Sequence, residues 1–169
     1  MPVDSFKFLP RLIEMFYKMT EVETPGQTPW NTLKKPLEES TFALVTSAGL
    51  YNLREDPPFD IERELREPTW GDPTAREIRS SISKDDLAIS HLHLNTQPIL
   101  EDPNIVMPFE RFQELEHLGE IGGLAETNFS LMGYQGFPPD TSTWSDVTGK
   151  QIADHFKSEG VDCVLLTPA

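Results

Sequence analysis

Thr41-Phe42-Ala43-Leu44-Val45-Thr46-Ser47, closed by Ala48-Gly49, is the stretch on which the fold turns. It is a short run of mainly apolar, β-branched and aromatic residues with no alternating polar side, which fits a strand covered on both faces. Strands of that kind belong to mainly parallel sheets flanked by helices. Downstream, Leu87-Ala88-Ile89-Ser90-His91-Leu92 reads as a second strand and Ile105-Val106-Met107 as a short third. Pro108 suits the first turn of a helix whose apolar side is Phe109, Phe112, Leu115 and Leu118, with Gly119 as its left-handed stop. Ile121 to Ala125 and Phe129 to Met132 supply further strand or turn pieces. Thr148-x-x-Gln151 has the form of a capping box opening a helix that buries Ile152, Ala153 and Phe156 and stops at Gly160. Val161-Asp162-Cys163-Val164-Leu165-Leu166 is the final strand, read as buried.

Short apolar strands alternating with helices of 10–15 residues predict an α/β fold: a mainly parallel sheet with helices on both faces, in three layers. Ligands in such sheets sit beyond the carboxyl ends of the strands. Those ends are Ser47-Ala48-Gly49, Ser90-His91, Met107-Pro108 and Thr167-Pro168-Ala169. A last strand this apolar calls for a covering helix after it. None follows, so the domain is expected to be incomplete at its C-terminus.

Upstream of the deciding stretch, residues 6–19 carry Leu9, Leu12, Ile13 and Phe16 at helical spacing, which predicts an amphipathic helix. Residues 20–40, with Pro25-Gly26, Pro29 and Pro36, read as an extended connector anchored by Trp30. The expected organisation is residues 1–40 as helix and connector and residues 41–169 as a truncated α/β domain. Residues 52–86 are acidic, proline-rich and weakly periodic, and read as a long loop that covers or forms a site.

The chain of 169 residues is long enough for one domain with a core, and its 37% hydrophobic and 25% charged content is that of a globular protein. No apolar run approaches the ~18 residues of a membrane span, and residues 1–5 do not begin a secretory signal, so a cytoplasmic location is expected. With 14 basic and 28 acidic residues the net charge is −14, which disfavours nucleic acid and anionic membranes as partners. The single cysteine, Cys163, excludes a disulfide or a CxxC site within these residues, and mid-strand it reads as a small hydrophobe.

Ser90-His91-Leu92-His93 places two imidazoles on one face if the strand continues. Three readings stand side by side: a metal pair completed by Asp102 and His117, a strand-end histidine bonded to a neighbour, and His91 contacting a substrate in the cleft. Gly71-Asp72-x-x-x-Arg76 is either a turn with an exposed ion pair or a place where Arg76 holds a substrate carboxylate. Asp102-Pro103-Asn104 reads as turn chemistry. Ser47-Ala48-Gly49 lacks the remaining glycines of a phosphate loop.

Taken in order, several segments resemble the selenoprotein B subunit family of glycine/sarcosine/betaine reductase and D-proline reductase. They are Phe42 to Gly49, Gly71-Asp72-x-x-x-Arg76, Ser90-His91, Asp102, Met107-Pro108-x-x-Arg111, Gly119-x-Ile121-Gly122, Met132-Gly133 and Glu159 to Pro168. Pro68-Thr69-Trp70-Gly71-Asp72 and Leu131-Met132-Gly133-Tyr134-Gln135-Gly136 resemble its less characterised members. The resemblance implies reductive cleavage of a C–N bond in a small amine or amino-acid substrate. It implies partner reductase subunits, one bearing a pyruvoyl group, with no cofactor in this chain and an oligomeric assembly. It places a selenocysteine or cysteine nucleophile directly after the segment matching Leu165 to Ala169. This chain therefore holds no catalytic nucleophile, is expected to show no reductase activity alone, and would stop there if a UGA codon were read as a stop. Substrate-side contacts are expected from His91, Arg76, Ser90, Asp72 and Asn128. At position 128 family members often carry histidine, so a changed or impaired activity is one implication. The alternative is a non-catalytic binding or assembly subunit of the same fold.

Overall fold

The computed structural model describes residues 31–169 together with Arg11 and Met15. The expected helix over residues 6–19 and the Trp30 anchor lie outside the described residues. The chain divides into two compact units, Met1–Thr32 and Leu33–Ala169, and the elements named here belong to the second.

A 3-10 turn at Leu37–Glu39 leads into β1 (Thr41–Thr46). Then come β2 (Leu50–Asn52), α1 (Ile61–Arg66), β3 (Ala75–Arg79) and β4 (Leu87–Ile89). They are followed by α2 (Gln97–Glu101), α3 (Phe109–His117), β5 (Gly123–Leu124), β6 (Thr127–Leu131), α4 (Gly149–Ser158) and β7 (Cys163–Thr167). The central strand is the predicted one. β1 pairs in parallel with β7, and with β5 and then β6. β3 adds to β6 antiparallel, which makes an α/β sheet that is mostly parallel with one antiparallel edge.

Neighbouring residues of β1 serve opposite faces, as a strand requires. Leu44 joins Ile78, Ile99, Met107 and Phe109, so α2 and α3 cover that face, and Phe42 meets Phe112 with ring centroids 5.6 Å apart. Ala43 joins Phe129, Ile152 and Phe156 under α4. The two predicted helix stops hold: Gly119 and Gly160 sit at φ 72° and 75°.

Five expectations fail for identifiable reasons. The final strand is an edge strand, not a buried one. Among the described residues β7 bonds β1 on one side only, and Leu166 is 68% exposed. The second strand ends at Ile89 and pairs antiparallel with β2 in a separate ribbon, so His91 and His93 are not strand residues. Ile105 to Met107 forms no strand, because Asp102 accepts from Asn104 N and closes a 3-10 turn over Pro103–Ile105. Thr148 caps nothing. A π-helical turn at Trp144–Thr148 runs straight into α4, and Thr148 Oγ1 donates to Pro73 O instead. Residues 52–86 are not one loop: they hold α1, β3 and a 3-10 turn at Lys84–Asp86.

Candidate functional site at the carboxyl ends of the parallel strands

β1, β6 and β7 run in the same direction and finish together. Past their ends the backbone is knotted by short bonds. Ser47 N donates to Thr167 O, Gly133 N to Ser47 O, and Gly49 N to Leu131 O. The Ser47 hydroxyl clasps residue 169, accepting from Ala169 N at 2.9 Å and donating to Ala169 O at 3.3 Å. Ser90 is held beside them, since Ser90 N donates to Gly49 O at 2.9 Å. The next residue, His91, reaches over this junction.

Gly133 makes the approach possible. A Cβ placed there would lie 2.9 Å from Ala169 O, 3.1 Å from Ser47 O and 3.4 Å from His91 Nε2. One point thus has three polar atoms from three segments around it. His91 Nδ1 accepts the backbone N–H of His93 at 3.1 Å. A neutral imidazole accepting at Nδ1 carries its proton on Nε2. That Nε2 is buried with no hydrogen-bond partner. Burial, with the nearby His93 as a lesser cause, holds His91 below the ordinary histidine range, so the neutral ring is the favoured form. The junction therefore holds a buried N–H donor, without a partner among the described residues, at the carboxyl ends of three parallel strands, where ligands of open α/β sheets bind.

Around His91 stands a second group. His93 Nε2 and Glu64 Oε1 share a hydrogen bond of 3.0 Å, and the His93 ring lies 4.5 Å from that of Tyr134. Glu64 is 3% exposed, and its Oε2 has no partner. Burial pushes its pKa up, His93 opposes the shift, and Asp72 adds to it. No motif marks Glu64, which lies in a charged segment beside Glu62 and Glu67. Tyr134 and Gln135 were visible only as part of the quoted 131–136 segment. Tyr134 Oη donates to Pro68 O, and Gln135 Nε2 donates to the carbonyls of Asp72, Met132 and Tyr134, tying that segment to residues 68–72.

The other expected site residues are engaged elsewhere. Asp72 Oδ2 accepts from Asp60 N, and Oδ1 accepts from both the N and the Oγ1 of Thr74. Arg76 does not pair with it. Its guanidinium donates to Pro57 O, Pro58 O, Thr74 Oγ1 and Ala75 O, and lies 4.2 Å over the Phe59 ring. Asn128 is fully buried inside the sheet. Its Oδ1 accepts from Leu44 N at 2.7 Å and its Nδ2 donates to Ala125 O. The reason lies in the register: between its pairs with β5 and with β6, β1 skips two residues of its partner. The Leu44 N–H that loses its ladder acceptor there is taken by the amide side chain.

Among the described residues no three His, Cys, Asp or Glu side chains group as a metal ion needs, and Asp102 is used up in its own turn. Cys163 is half-buried, and burial next to Asp162 pushes its thiol pKa up, the opposite of an activated nucleophile. No described helix is long and apolar enough to cross a membrane.

Residues 11–169 match the family described as glycine/sarcosine/betaine reductase selenoprotein B. The chain belongs to this selenoprotein B family. Its similar relatives include the D-proline reductase subunit gamma of Acetoanaerobium sticklandii, 33% identical over 150 residues. That match covers 88% of this chain and 57% of the relative. The glycine reductase complex component B subunit gamma of Carboxydothermus hydrogenoformans is 27% identical, over 88% of this chain and 33% of the relative. The sarcosine reductase complex component B subunit beta of Peptoclostridium acidaminophilum is 28% identical, with the same two shares. The chain thus spans between a third and somewhat over half of the length of these relatives. No solved structure matches it.

Proposed function

We propose that this chain is the amino-terminal part of a subunit in a reductase complex that cleaves the C–N bond of a small amine or amino acid, such as glycine, sarcosine, betaine or D-proline. One observation carries the reading on the structural side. The Nε2 of His91, buried and without a partner among the described residues, stands at the joint ends of β1, β6 and β7, and a Cβ on Gly133 would lie within 3.4 Å of it, of Ser47 O and of Ala169 O. The names of the relatives, each a subunit or component of such a reductase, agree with it.

In this proposal the nucleophile is a selenolate or thiolate directly after the segment matching Leu165 to Ala169, and so beside that junction. The substrate amine would be activated by a pyruvoyl group supplied by a partner subunit. The nucleophile attacks the α-carbon as the C–N bond breaks, and the nitrogen keeps that bond's electron pair, takes up a proton and departs as the amine, or in D-proline stays on the opened chain. A second thiol then takes the sulfur or selenium, the product leaves with a proton, and a selenenylsulfide or disulfide remains for an external dithiol to reduce. His91 donates a hydrogen bond to an anionic oxygen of the substrate. A neutral donor suits this role, since it needs no proton from solvent and stays uncharged across neutral pH. The complex is cytoplasmic.

The test is turnover by the assembled complex containing the longer chain, with a dithiol as reductant and the four substrates in turn. His91→Ala is expected to lower kcat/KM about 10- to 100-fold, the size of one hydrogen bond to a charged group. Unchanged kcat/KM would remove His91 from the site. A second reading, a non-catalytic assembly subunit, is favoured by the open edge of β7. There Val164 and Leu166 line an apolar groove of about 480 Å³ with Trp144, Ile152 and Phe156. Absence of turnover with every amine, in a complex that still assembles, would select that reading.

A further inference from the structure

Glu64 and His93 take no part in the chemistry just described, yet next to it a buried carboxyl group meets a half-exposed imidazole. The way they are held is specific. Asp72 accepts from Asp60 N, and Asp60 caps α1 by accepting from Arg63 N, so the start of α1 is fixed to the 72–74 turn. That places Glu64, in the middle of α1, with its carboxyl group buried. The carboxyl group meets the His93 ring at 3.0 Å, and Tyr134 stacks against the same ring. His93 is thereby pinned by its side chain, and its backbone N–H is aimed at His91 Nδ1. The rings of His91 and His93 stand edge to face at 88°, with centroids 6.0 Å apart, so they share no ring-to-ring hydrogen bond. The link between them is that backbone N–H.

We propose that Glu64 is a positioning residue: by anchoring His93 it sets the 91–93 turn so that the His93 N–H occupies His91 Nδ1 and leaves the His91 proton on Nε2, facing the strand-end junction. The inference rests on the reading of His91 as the site's donor, but it concerns the ring's tautomer and can be measured without turnover. A buried carboxyl group with an unpartnered oxygen is costly, and an apolar residue of like size would relieve that cost. Holding His93 gives this buried acid a task that a purely structural filler would lack.

The experiment is nitrogen-15 NMR of the histidine rings in the chain as it stands. Wild type is expected to show His91 almost wholly as the Nε2–H form. Glu64→Gln keeps an acceptor for His93 and is expected to keep that tautomer. Glu64→Met fills the volume without an acceptor. His93→Phe keeps the stacking on Tyr134 and loses the bond to Glu64. Both are expected to lower the ratio of Nε2–H to Nδ1–H in His91 about five- to tenfold, the weight of one net hydrogen bond. If Glu64→Met does not fold, His93→Phe decides alone. A His91 ring with unchanged tautomer ratio in the folded variants would overturn the proposal, as would loss of the tautomer in Glu64→Gln. Neither result bears on whether the assembled complex turns over an amine, so failure here is distinct from failure of the proposed function.

Discussion

Asn128→Asp replaces one NH2 by one oxygen at the centre of the sheet and is expected to make the domain pH-sensitive. The assignment of the amide is fixed by its partners: Leu44 N can only donate, so Oδ1 faces it, and Nδ2 faces the Ala125 carbonyl at 3.2 Å. The new carboxylate keeps the bond from Leu44 N but turns its second oxygen toward a carbonyl oxygen. At neutral pH that removes a hydrogen bond worth about 1 kcal/mol and leaves a fully buried charge with one donor, for a total of about 3–5 kcal/mol. Protonation restores a donor toward Ala125 O and cancels most of the loss. The folded pKa of the new group therefore lies above the ~3.9 of an unfolded aspartate. The native state then holds a proton that the unfolded chain releases. Relative to wild type, the variant's stability is fully present below about pH 4 and is lost as pH rises through the folded pKa. The limiting slope is about 1.4 kcal/mol per pH unit, and a loss of that total size puts the folded pKa near ~6–7.5. Urea unfolding of both proteins from pH 4 to pH 8 measures the gap, and the background effect of the −14 net charge cancels in the difference. A gap that stays flat across this range, or never exceeds about 1 kcal/mol, would refute the placement of Asn128 in the ladder.

Gly133→Ala drives a methyl group to within 2.9 Å of one backbone carbonyl and 3.1 Å of another. It is expected to cost about 1–3 kcal/mol in thermal or chemical unfolding, with a change in the NMR signals of His91, whereas loss of stability without any change at His91 would separate that ring from the junction. Glu64 has a folded pKa raised by burial, so its stabilising share is present below the unfolded value and lost as pH rises through the folded one. Wild type is therefore expected to lose ground to Glu64→Gln over that window, and a pH-independent difference would count against the buried acid.

The sequence made the centre of the fold legible because burial leaves a plain mark there. Phe42 to Val45 has no polar position, and a strand flanked by strands and covered on two faces has nowhere to put one. Helix ends were legible through Gly119 and Gly160, whose backbone conformation names them. β3 was missed because Ala75-Arg76-Glu77-Ile78-Arg79 carries a single large apolar residue. Ile78 is its one fully buried side chain, with Ala75 partly buried against the other cluster, and an antiparallel edge needs no more. β7 misled in the other direction, since its composition is that of an interior strand while its surroundings here are those of an edge. In the site, His91 was legible as a polar residue at a strand-end segment. Glu64 was not, because what singles it out is depth, and nothing in Ile61-Glu62-Arg63-Glu64-Leu65-Arg66 tells the buried glutamate from the exposed one. Arg76 read as a ligand because a guanidinium can hold a carboxylate, and Asp72 through the family resemblance; in the structure both bond the Thr74 hydroxyl and the backbone of nearby loops.

The order of strands along the chain sets a timetable for the molecule's making. β1 is synthesised first and receives its partner on one edge from β7, whose Thr167 carbonyl bonds a residue 121 positions earlier. At roughly 5–20 residues per second, the ribosome needs on the order of 6–24 s to deliver that partner. For that interval the central strand of the domain has an unfilled edge. Long-range parallel pairing of this kind closes slowly even afterwards. The surplus of acidic residues then has a use outside the folded state: chains waiting to close their sheet carry like charge and repel one another.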